Sequence, residues 1–250
     1  RRSTIGLDVE PALCFDPLAV RSGPFLTILQ RLDELTFGPV GMTMPRWVFY
    51  DCAEVPGGIF GFSRPAAQVP EWVLRALHVE PGYSGPVPLS MVVAIPMLKP
   101  GCWHTYTVCS LNEVAPGAAP AGLRLLTEAA SMEIFGSRTA YGATQWRSPK
   151  LQVHAQFCPL ELLTAWTPAH SDPRTLTFRF DVSDALIERA LTDGATDSHV
   201  IDTARWIDCD DDAELIALQR AIEAGRRFHV VGGPVIEGSL MRVPIEEVGP

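Results

Sequence analysis

The sequence predicts an α+β protein in which a large antiparallel sheet or open barrel carries a few packed helices. Three observations predict it. Strand-like segments outnumber helical ones, and Pro, Gly and Asp clusters punctuate them at short intervals. No strand–helix–strand rhythm runs along the chain, as a doubly wound fold would require. The chain has 250 residues, 47% of them hydrophobic and 20% charged, enough apolar surface to bury a core. It reads as a single domain over 1–250 with an irregular N-terminal segment at about 1–22.

The elements follow in order. Phe25, Ile28, Leu29, Leu32 and Leu35 have helical spacing after Gly23-Pro24, and Gly38-Pro39 ends that helix. Residues 46–52 and 58–63 read as two strands around a turn at Val55-Pro56-Gly57. A short helix at 70–77 places Trp72, Val73, Ala76 and Leu77 on one face. Beyond the turn-rich stretch 80–88, the run 89–98 and the alternating run 103–110 form a central hairpin about Lys99-Pro100-Gly101.

A loop at 114–120 leads into the clearest helix, 121–135, with an apolar stripe of Leu123, Leu126, Ala130 and Ile134. Four strand-like runs follow at 140–146, 151–157, 160–167 and 175–182. Ser183 reads as the N-cap of a helix to about 191, and 199–207 as a strand. Asp210-Asp211-Asp212 open a helix whose dipole they complement and which Gly225 ends. Residues 228–243 read as a last hairpin about Gly232-Gly233-Pro234.

Composition narrows the functional classes. A net charge of −9 disfavours nucleic acid as a partner, because phosphate binding needs a basic surface. No window offers the roughly 20 apolar residues of a membrane span, and the basic N-terminus has no apolar core behind it, so the expectation is a cytoplasmic protein. The six cysteines make no C-x-x-C pair and read as reduced, mostly buried thiols. Only Lys99 and Lys150 are lysines, so lysine chemistry has two candidate side chains. No metal site and no cofactor are expected, and a homo-oligomer is compatible with everything above.

No phosphate-binding loop, dinucleotide fingerprint, nucleophile elbow or zinc-protease motif occurs. His170 and Asp172 could serve a metal or a proton relay, but on a Pro-flanked turn they read first as turn chemistry. Alternation along 103–106 puts His104 and Tyr106 on one face of a strand and Trp103 and Thr105 on the other. If the first face lines a cavity, His104 and Tyr106 are acid–base or anion-binding groups; otherwise it simply meets water. Arg124 and Glu128, four apart on a helix, read as a surface ion pair unless buried.

From Met44 to Phe135 the order of features resembles the acetoacetate decarboxylase family. Met44-Pro45-Arg46, Phe62-Ser63-Arg64, the 70–77 helix, Ala94-Ile95-Pro96, Gly101, Leu111-Asn112-Glu113 and the Gly122-led helix carry the likeness. It implies an open antiparallel barrel about a buried polar cavity. The family's Schiff-base lysine falls in the segment 127–131, which has none, and its cavity glutamate falls near Ser90. Lys150 follows Pro149, as the family's lysine follows a proline, but farther along the chain. The resemblance therefore implies binding of a small keto acid or polyketide-type carboxylate, with lyase, dehydratase or cyclase chemistry that needs no such lysine. Glu128, His104 and Tyr106 are its catalytic candidates; Arg64, Arg124 and Trp103 are its substrate-binding candidates. Two alternatives stand beside it. One is a coenzyme A-dependent N-acetyltransferase-like domain with 115–126 as phosphate loop and helix start and 148–157 as a later helix. The other is a non-catalytic small-molecule binding domain.

Overall fold

In a computed structural model of the chain, residues 23–54, 58–192 and 205–249 are described, and all that follows concerns these. They fall into two units, one drawn from residues 23–137 with 191–192, the other from 138–190 and 205–249.

The first unit begins with α1 (Gly23–Phe37), whose Phe25, Ile28, Leu29 and Leu32 are buried as their spacing requires. The segment at 46–52 is a helix, α2 (Arg46–Glu54), not a strand. The Val48 N–H bonds the Pro45 carbonyl, so Pro45 opens the first turn, and burial falls on adjacent Val48 and Phe49 while Trp47 is exposed. A short run of aromatic and β-branched residues satisfies both periods, and here the preceding proline selects the helix. The turn read at 55–57 lies outside the described residues.

β1 (Ile59–Phe60) and β2 (Ser63–Pro65) replace the single strand read at 58–63. α3 (Glu71–Ala76) buries Val73 and is followed by buried Leu77; Trp72 is exposed, contrary to the face assigned to it. β3 (Pro86–Pro88) pairs antiparallel with β2 as a two-stranded sheet. β4 (Ser90–Pro96) and β5 (Cys102–Ser110) form the central hairpin, turning at Lys99-Pro100-Gly101 with Gly101 at φ 77°, and β1 pairs on the other edge of β4. α4 (Leu123–Ile134) closes the unit. Its buried side is wider than the stripe read from sequence: Leu125, Thr127, Glu128, Ala129 and Met132 are buried, whereas Ile134 is exposed.

In the second unit, β6 (Thr139–Gln145) is followed by α5 (Pro149–Ala155), where a strand was expected. Ser148 caps the helix by accepting from the Lys150 N–H, Pro149 occupies its first turn, and Leu151, His154 and Phe157 are buried at three-residue spacing. β7 (Leu160–Thr164), β8 (Thr175–Asp181) and α6 (Asp184–Thr192) come next, with Ser183 Oγ accepting from the Leu186 N–H as the cap reading requires.

β9 (Arg205–Asp208) is the described part of the strand read at 199–207. α7 (Asp212–Glu223) is capped by Asp211. β10 (Arg227–Val230), β11 (Val235–Glu237) and β12 (Leu240–Val248) end the chain. The last hairpin joins β11 to β12 through Gly238, at φ 64°, and β10 pairs with β12 and β7, so Gly232-Gly233 is a link and not a hairpin turn.

The strand order of this unit is β6-β8-β7-β10-β12-β11, with β9 on β12, antiparallel at each described pairing. Seven helices among the described residues accompany antiparallel strands, and the class is α+β. No described helix is long and apolar enough to cross a membrane.

Candidate functional site

Polar residues gather where α4 lies against the β4–β5 hairpin. Ser90 opens β4 and Thr127 lies one turn into α4; both are fully buried. Their hydroxyl oxygens are 2.6 Å apart, the Phe62 N–H points at Ser90 Oγ at 3.3 Å, and Thr127 Oγ1 is 2.6 Å from the Leu123 carbonyl. A hydroxyl donates once, so one chain satisfies all four groups: Phe62 N–H to Ser90, Ser90 to Thr127, Thr127 to the Leu123 carbonyl. These are the places where the family resemblance sought a glutamate and a lysine. Here they hold two hydroxyls whose protons are both in use.

Just before α4 the backbone is fixed by side chains. Ser110 and Glu113 form a reciprocal capping box, in which Glu113 Oε1 accepts from the Ser110 N–H at 3.0 Å. Asn112 Oδ1 accepts from the N–H groups of Gly117 and Ala119, and its Nδ2 donates to the Pro120 carbonyl. Arg124, second residue of α4, extends into this region with a side chain only 12% exposed. Its Nε is 3.7 Å from Glu113 Oε1, an electrostatic contact too long for a hydrogen bond. Nε and Nη2 are buried and have no hydrogen-bond partner among the described residues. The surface ion pair read for Arg124 and Glu128 is thus not what the helix makes. Arg124 pairs with Glu113, and Glu128, 1% exposed, is buried.

His104 and Tyr106 share a face, their rings edge-on at 5.9 Å. It is the face of β5 turned away from α4. Thr105 pairs with Ala94, on the Ser90 side of the hairpin by two-residue alternation, and Trp103 on that same side stacks on Phe135 at the end of α4, 4.8 Å between centroids. Val93 pairs with Thr107 and Ala94 with Thr105, so Tyr106 is an extra residue in a bulge. Burial lowers the His104 pKa and favours its neutral form. Thr107 is buried with no hydrogen-bond partner for Oγ1 among the described residues.

The six candidate residues therefore divide. Glu128, Arg124 and Trp103 lie on the α4 side of the hairpin, and His104 and Tyr106 on the other. Arg64 sits on β2, opposite Val87, in the separate two-stranded sheet. His170 and Asp172 belong to a turn: Asp172 Oδ1 accepts from the Arg174 N–H at 2.9 Å and the Asp172 carbonyl from Thr175 Oγ1. Among the described residues, no group of three or more His, Cys, Asp or Glu side chains is placed to hold a metal ion.

Ser90, Thr127, Asn112 and Glu113 were not read as site-forming. The Ser110-x-x-Glu113 spacing was a legible capping-box signal; the Ser90–Thr127 contact spans 37 positions and left no local trace. No protein-family model matches the chain, and no curated protein is significantly similar to it.

Proposed function

We propose that the first unit binds a small keto acid or related carboxylate through Arg124, as a divergent relative of the acetoacetate decarboxylase-like proteins. The observation that carries the reading is the state of Arg124 among the described residues: a nearly buried guanidinium with Nε and Nη2 lacking hydrogen bonds, with the Glu113 carboxylate 3.7 Å away. Buried cations are costly unless answered by anions and hydrogen bonds, and a carboxylate is the ligand that a guanidinium fork matches best. Glu128, one turn farther along α4 and buried, is the carboxylate that this reading assigns to exchange a proton with such a ligand.

An arginine holding the ligand's carboxylate stabilises it as an anion and so opposes its loss as carbon dioxide. Together with the Ser90–Thr127 pair standing where the lysine chemistry was sought, this favours enolate, dehydration or cyclisation chemistry over decarboxylation.

The acetyltransferase reading is weakened by the loop it needs. Asn112 and the Ala115 carbonyl already take the N–H groups of Gly117, Ala118 and Ala119, which a pyrophosphate would require. Thermal unfolding with pyruvate, acetoacetate or coenzyme A separates the classes. Ligand at a hundredfold over its Kd adds about 2.7 kcal/mol and raises Tm by several degrees. The keto acids are expected to do so and coenzyme A is not; a shift from coenzyme A alone overturns the assignment.

One observation favours a second reading, imine chemistry at Lys150. Pro149-Lys150 opens helix α5 and is not part of a strand, which brings it nearer to the proline–lysine pattern of the family, and Lys150 Nζ is buried. Borohydride trapping with acetoacetate, mapped by peptide mass, decides it: a reduced adduct on Lys150 establishes the imine, and its absence from folded protein removes it.

A further inference from the structure

We infer that Glu113 sets the specificity of the Arg124 site by restricting the ligand to a single carboxylate; this rests on the carboxylate-binding reading above. Glu113 is held in place. Its Oε1 accepts from the Ser110 N–H at 3.0 Å, and the Ser110 side chain accepts in return from the Glu113 backbone. It cannot swing away when a ligand arrives without breaking a reciprocal cap.

Its Oε1 stands 3.7 Å from Arg124 Nε, and Nε and Nη2, which together form one edge of the guanidinium, are both buried without a hydrogen-bond partner among the described residues. One ligand carboxylate on that edge gives the guanidinium a second anion. The positive charge is then fully answered, and a further carboxylate on the same ligand would enter a poorly solvated region with Glu113 close by and no second cation on α4. Only Arg124 among the twelve residues of α4 is basic. Repulsion of this kind is a common source of selectivity, acting against the wrong ligand more than for the right one.

The test compares two five-carbon keto acids that differ only in their second carboxylate, 2-oxopentanoate and 2-oxoglutarate, by titration calorimetry on the full chain and on Glu113→Gln. Glutamine also serves at this position of a capping box, so the variant removes charge while keeping the cap. The wild-type protein is expected to bind 2-oxopentanoate about tenfold or more tightly than 2-oxoglutarate. In Glu113→Gln that ratio is expected to shrink severalfold, through tighter binding of 2-oxoglutarate. Equal binding of the two acids by the wild type, or an unchanged ratio in the variant, overturns the role of Glu113 and leaves the Arg124 site standing. Binding of neither acid by folded wild-type protein overturns the site itself, and the inference with it. Should the variant not fold, the wild-type ratio alone still decides against the proposal if it is near one.

Discussion

A guanidinium 12% exposed, with two nitrogens lacking hydrogen bonds among the described residues, is costly to a fold. Arg124→Met keeps the aliphatic stem and removes the charge, so it is expected to leave stability unchanged or raise it by about 1 kcal/mol while abolishing carboxylate binding. Denaturant unfolding checks this; a loss of 2 kcal/mol or more, in the range of about 3–5 kcal/mol found when a buried pair is broken, would mark Arg124 as structural. Ser90→Ala predicts the opposite pattern. It leaves the buried Phe62 N–H without its acceptor and interrupts the chain to Thr127, at a cost of about 1–3 kcal/mol. Ligand affinity in that variant is expected to stay near wild type, because neither hydroxyl has a free proton to offer.

The helix starts after Ser183 and at 210–212 were legible from residues that cap them, and their energetics can be checked. Asp211 Oδ1 accepts from the N–H groups of Ala213 and Glu214, so Asp211→Ala should cost about 1 kcal/mol in a chemical unfolding experiment. The hairpin β4–β5, α1, α4 and α7 could be read because their apolar period runs long enough to exclude the alternative. α2 and α5 could not be read from hydrophobicity alone: each is under ten residues, rich in Trp, Val, Phe or Leu, and fits either period. In α5 the deciding signal was present in Ser148-Pro149, which lies in the cap and not in an apolar stripe. Site residues divided in the same way. Arg124 and Glu128 could be named from α4, and alternation along β5 separated His104 from Trp103. The partners that define the site, Glu113 for Arg124 and Thr127 for Ser90, depend on tertiary packing, which no local pattern encodes.

Across the molecule, pH dependence follows from histidines held neutral. Burial lowers the pKa of His104 in the first unit and of His229 in the second. His229 lies in a cross-strand row, Tyr141–Arg179–Glu161–His229–Glu246; Glu161 and Glu246 push its pKa up and Arg227 pushes it down, but burial outweighs the carboxylates. Such groups take up protons in the unfolded chain first. Stability conferred by the neutral form is full above the unfolded histidine pKa of about 6.5 and is lost as pH falls through it toward the depressed folded value. Glu161 acts at lower pH: burial raises its pKa, yet the hydrogen bonds from Arg179 and Arg227 together hold it below the usual carboxylate range, so its contribution disappears only in acid. Urea midpoints measured from pH 8 to pH 5 should fall in the wild type and fall less in His104→Gln combined with His229→Gln; parallel curves would place the dependence elsewhere. Calorimetric titration of acetoacetate into the wild-type chain and into Arg124→Met is the most direct test of the molecule's assignment. Saturable binding to the wild type and none to a folded, equally stable variant is the predicted result. Equal binding to both, or no binding to the wild type by this or the shorter keto acid pyruvate, would contradict it.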